Sequence, residues 1–132
     1  MPKKYFLLIL IPVLVYLVYL GNIKPLLASR AANRGDIVKV LSYNTFVNYE
    51  IRIVMAKQAL ESDDVDFVWF AKEQMEENVK ERPFDCKSYI FLFNLYYRFG
   101  ETEKAKWVAQ KALELAPARE DLKELLINVS GP

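Results

Sequence analysis

At 132 residues the chain is long enough for one domain of ordinary size, and its 18 Lys and Arg against 17 Asp and Glu leave a net charge of +1, which gathers no nucleic acid. It has no histidine and a single cysteine, Cys86, so it lacks the commonest general base and metal ligand and cannot close an internal disulfide. Ser-His and Cys-His catalysis and zinc sites are thereby excluded, and no cofactor or metal is expected.

Tyr5 to Leu20 run for 16 positions without a charge, preceded by Lys3 and Lys4. Helical rise gives about 24 Å for this stretch, and about 28 Å with Gly21 to Ile23, close to the roughly 30 Å hydrocarbon core of a bilayer. Residues 1–23 therefore read as an N-terminal transmembrane anchor meeting the membrane through residues 5–23, with Pro12 a kink that lipid tolerates. A cleaved signal peptide competes with this reading, but the small-x-small site Ser29-Arg30-Ala31 lies too far downstream. Lys3 and Lys4 with the amino terminus face Lys24, Arg30 and Arg34 across the span, so charge leaves the side of the soluble part open.

Beyond the span apolar residues recur at three and four, which predicts helices throughout. Pro83 and Pro117 are 34 residues apart, as are Ala71 and Ala105. With Cys86 as position 1, an aromatic falls at 4 (Tyr89), Leu at 7 (Leu92), Tyr at 11 (Tyr96), Gly at 15 (Gly100), Ala at 20 and 27 (Ala105, Ala112) and Pro at 32 (Pro117). Residues 86–119 thus resemble the tetratricopeptide (TPR) repeat, in which small residues let two helices approach and large ones fill the gaps. They depart from it at Phe93, where a small residue is usual, and at Ala109, where a large one is. Residues 52–85 are a degenerate copy keeping Ala59, Ala71 and Pro83. Residues 24–51 read as a juxtamembrane helical linker or partial repeat with a turn at Gly35-Asp36. In 120–132, Leu122, Leu125, Leu126 and Val129 mark a capping helix. The predicted fold is all-α: one N-terminal transmembrane helix, then five or six short helices forming a TPR-like hairpin array of about two repeats plus a cap.

The order of parts carries a second resemblance. The apolar segment, then KPLLASR, LSYNTFVNYEIR and RPFDCKSYIFLFNLYYRFGETEKA, is similar to the C-terminal tail of bacterial O-antigen ligase or polymerase membrane proteins. That resemblance implies an accessory tail and association with a membrane glycan-assembly complex. The family's catalytic bundle has no counterpart here, and no residue inherits its activity.

The TPR resemblance places ligands on the first helix of each repeat, at Lys87, Ile90, Asn94, Tyr97 and Arg98, with Asn94 gripping a peptide backbone or carboxylate and Lys87 and Arg98 as cations. Ile90 replaces the family's usual cation. Tyr89, Phe93 and Tyr96 belong to the core, while Phe91, Tyr97 and Phe99 have no core duty. Asp63-Asp64 and Glu76-Glu77 suit a solvated surface or a helix start, and Asn128-Val129-Ser130 is a weak glycosylation match. The expectation is a single-pass, membrane-anchored scaffold or adaptor of the cell membrane that binds a protein or peptide and is no enzyme; the alternative is a detached tail of the glycan enzyme.

Overall fold

The computed structural model describes residues 3–130, with side chains for 8–129, so Lys3, Lys4 and the Ser130 side chain of the glycosylation match lie outside the described side chains. Among the described residues there are eight α-helices and one π-helical turn, and no strand. The chain divides into two compact units, Met1–Ile51 and Arg52–Pro132.

In the first unit, α1 (Lys3–Val18) carries Pro12 in its interior and runs through the π turn Tyr19–Ile23 into α2 (Lys24–Asn33). Pro25, in the first turn of α2, has no N–H and crowds the carbonyl four residues back, so the helix widens there: the Lys24 N–H bonds Tyr19 O, five residues behind, and the helical course continues. Leu8–Asn33 is a helical run of 26 residues, long and apolar enough to cross a membrane. Its large apolar side chains from Leu8 to Ile23 are mostly exposed. The helix stops at Gly35, whose φ of 72° suits glycine; Gly35 N donates to Ala32 O and Asp36 N to Ala31 O, closing the last turn. The Asp36 carboxylate then accepts from Lys39 N at 3.1 Å to start α3 (Ile37–Ser42). A small core of Ala28, Ala31 and Val40, flanked by Ala32, Tyr43 and Ile51, joins α2 and α3. Buried Asn48 donates to Leu41 O at 2.9 Å, fixing the chain's exit from α3 into α4 (Val47–Leu60).

The second unit holds the rest of α4, then α5 (Val65–Glu81), α6 (Cys86–Arg98), α7 (Thr102–Leu115) and α8 (Glu120–Ser130). Seven helices thus follow the apolar one, where five or six were expected: α2 prolongs the apolar helix itself, and α3 is barely two turns. Asp64 and Asp85 cap α5 and α6, accepting from Phe67 N at 3.1 Å and Ser88 N at 3.0 Å. α6 packs on α5 and α7, and α7 on α8. Small residues on α7 (Ala105, Ala109, Ala112) meet the large ones that α6 buries (Tyr89, Leu92, Phe93, Leu95, Tyr96), and Leu122 and Val129 bury the inner face of α8. Sealing Leu92, Leu95 or Met75 from water contributes about 1.5–3 kcal/mol each.

The turn after α5 recurs after α7. Arg82 (φ −132°, ψ 72°) and Ala116 (φ −140°, ψ 68°) cap the two helices in nearly the same conformation, each N–H bonding the carbonyl four residues back. Asp85 N then donates to Arg82 O and Arg119 N to Ala116 O, both at 3.1 Å. Pro83 and Pro117 each sit just past these caps, where proline's fixed φ and the restriction it places on its predecessor end a helix.

Candidate functional site

Spacings of three and four put Lys87, Ile90, Asn94, Tyr97 and Arg98 along one side of α6. Lys87 is exposed, Ile90 and Asn94 are half-buried, and Tyr97 is 59% exposed, its ring stacked on Phe93 at 6.0 Å and 11°. Asn94 donates to Ile90 O at 2.8 Å on its own helix, which orients its side-chain oxygen as an acceptor. Arg98 is occupied elsewhere: its guanidinium donates to Ala59 O at 2.9 Å, Leu60 O at 3.1 Å and Ser62 O. Ala59 and Leu60 end α4 and Ser62 lies two residues past it; Arg98 gives their carbonyls a side-chain donor, Ala59 O accepting from Ser62 N as well.

Thirty-four residues earlier, the equivalents of Lys87, Ile90 and Asn94 are Ile53, Ala56 and Leu60, of which Ile53 and Ala56 are buried. The open strip is therefore one helix wide. Its ammonium, amide and aromatic ring can hold a backbone and an apolar side chain; it contains no nucleophile and no acid–base pair. The paired carboxylates are likewise structural. Asp64 caps α5, Glu76 accepts from the Tyr96 hydroxyl at 2.8 Å, and Glu77 pairs with Lys80 at 2.6 Å.

Two buried cations escape the periodicity. Arg52, 7% exposed, donates from α4 to Gln74 (3.2 Å), Asn78 (3.2 Å) and Glu81 (2.8 Å) on α5. Lys72, 3% exposed, pairs with Glu101 and lies 3.8 Å from the Trp69 ring centre and 4.8 Å from that of Phe99, with Trp69 and Phe99 edge to face at 5.8 Å. Lys104 also holds Glu101, at 2.5 Å, and the Lys104 and Lys72 bonds together lower the carboxyl's pKa below the ordinary glutamate value. Burial first, and the Glu76 carboxylate second, push the Tyr96 phenol well above its usual range. This aromatic cage explains Phe99, which had no assigned core role. Its sequence signal is Lys72 itself, a cation spaced four from Val68 and three from Met75, both buried.

Fold and face together define a class: an all-helical protein with one N-terminal helix apolar and long enough to cross a membrane. No protein-family model matches the chain, and no curated protein matches its sequence.

Proposed function

We propose that this is a single-pass, membrane-anchored TPR-type interaction module, a scaffold or adaptor that binds a protein or peptide on the exposed strip of α6 and has no catalytic activity of its own. The observation that carries the reading is the 34-residue recurrence of the turn: Arg82 and Ala116 share a cap conformation, and the helices that follow begin at Cys86 and Glu120. Ala71 and Ala105, the equivalent small residues of the two repeats, are both 0% exposed. Lys87, Asn94 and Tyr97 supply a charge, an amide and a ring that suit an extended peptide, and the apolar surface of α1 suits lipid.

The test has two arms. Alkaline carbonate extraction of membranes should leave the full chain in the pellet, and its release would overturn the anchor. A photo-crosslinking residue at Tyr97 should capture a protein partner that the same residue at exposed Gln110 on α7 does not, with capture abolished by Asn94→Ala; equal capture from both positions, or none at Tyr97, would overturn the binding face.

A further inference from the structure

Next to the apolar helix the first unit contains a cavity of about 350 Å³ lined by Leu27, Arg30, Arg34, Asp36, Lys39 and Tyr43, among others. Arg30 lies in the last turn of α2 and Arg34, four residues on, caps its C-terminus, while Lys39 on α3 lines the same cavity beyond the Gly35 turn. Among the described residues no carboxylate pairs with any of the three. Asp36 on the rim has its carboxylate turned to Lys39 N at the start of α3. All three cations are exposed, so this is an open site with three positive charges and one negative, backed by an alanine and a leucine.

We propose that this cavity binds the phosphate of an anionic membrane lipid, with Arg30 and Arg34 gripping its oxygens, Lys39 adding charge and Tyr43 donating from its hydroxyl. The inference rests on the membrane anchor proposed above. What selects a lipid over a soluble phosphate is position. The helix is unbroken from the apolar stretch into α2, so Arg30 lies seven residues past Ile23, about 10 Å along the axis. The headgroup layer occupies roughly 5–8 Å beyond the hydrocarbon on each side. Side chains on a helix lean toward its N-terminus, which here is the direction of the bilayer, so the long stem of Arg30 reaches back into that layer, Arg34 follows about 6 Å further out at its edge, and Leu26 and Leu27 lie at headgroup depth. Arginine's forked donors match phosphate oxygens in pairs.

The experiment uses the full chain in neutral maltoside micelles, with lipid retention read by native mass spectrometry. Phosphatidylglycerol should be retained over phosphatidylcholine on the order of tenfold or more, the grip of Arg30 and Arg34 carrying it and Lys39 adding to it only while they hold the phosphate. Arg30→Gln with Arg34→Gln should abolish the preference, Lys39→Gln should reduce it, Arg30→Lys with Arg34→Lys should keep most of it, and Lys57→Gln on α4 should leave it intact. Equal retention of the two lipids overturns the proposal, as does a preference that survives the double glutamine variant. Displacement of the lipid by millimolar inorganic phosphate would mark a soluble-phosphate site instead and overturns it too. Loss of the lipid preference in a protein that stays in the carbonate pellet counts against this site alone; release from the pellet counts against the anchor.

Discussion

The guanidinium of Arg98 closes the end of a helix 39 residues earlier in the chain, donating to Ala59 O at 2.9 Å and to Leu60 O at 3.1 Å. α6 ends on a left-handed glycine, Gly100, with Glu101 N bonded to Tyr96 O and Gly100 N to Tyr97 O. α4 has no such glycine: Ala59 O accepts from both Ser62 N and Arg98, and Leu60 O is met by Arg98 from α6. Arg98→Ala should therefore cost about 1–2 kcal/mol, and Arg98→Lys most of that, because a single ammonium cannot reproduce the fork. Denaturant melts of the detergent-solubilised chain measure it; a midpoint unchanged in both variants would remove Arg98 from the fold's supports and return it to the binding face.

Ala105 is completely buried on α7, facing the large side chains of α6. Ala105→Leu is expected to destabilise by about 1–3 kcal/mol through overpacking. Ala105→Gly offers a contrast, costing about 1 kcal/mol through helix propensity alone. A leucine variant as stable as the parent would contradict close packing of these two helices.

The Lys72 cage predicts an asymmetry between two replacements. Lys72→Met keeps the stem and leaves Glu101 its second partner, Lys104, so the loss should be about 1–2 kcal/mol; Lys72→Ala adds a cavity and should lose about 2–4 kcal/mol. Both remove the cation from the Trp69 ring, so Trp69 fluorescence, isolated in a Trp107→Phe background, should shift by the same amount in each. Emission that ignores the substitution would separate Lys72 from the ring.

Acid should weaken the same cage. Glu101's folded pKa lies below its unfolded value, so its contribution is fully present above the ordinary carboxylate pKa of about 4.3 and is lost as pH falls through the lower folded value. The stability gap between the parent and Glu101→Gln should be full at pH 7 and should shrink steadily below about pH 4. A gap that is constant with pH would mean the carboxylate's charge contributes nothing.

The best-read parts of the chain are those whose signals are local. Gly100 and Pro117 bracket α7 at the residues where glycine's left-handed turn and proline's block on the helix are needed, and an uninterrupted apolar stretch marks α1. Local signals also mislead. By sequence the anchor ends at residue 23 and a linker begins at 24, yet the π turn absorbs the N–H that Pro25 lacks and carries the helix on to Asn33. The Lys72 cage is not local either: the spacing from Val68 and Met75 puts Lys72 on the inner face of α5, but the residues that hold it there (Phe99 and Glu101) are about thirty residues ahead in the chain. Arg98 reads as a free cation on the strip for the same reason: its acceptors are backbone carbonyls, which no side-chain pattern reports.

The order in which α5 to α8 stack carries a kinetic consequence. Each of these helices packs on its neighbours in sequence, and the widest side-chain bridge, from Arg98 to Ala59, spans only 39 residues. Little loop entropy has to be lost before contacts form, so this unit should fold quickly once its helices exist. The α6–α7 hairpin, closed by its own glycine turn and the richest in buried aromatics, is the natural place for folding to start, with α8 adding from one side and α5 and α4 from the other. Disassembly should run the opposite way, with α8 exchanging its amide hydrogens first, since among the described residues it packs on α7 alone.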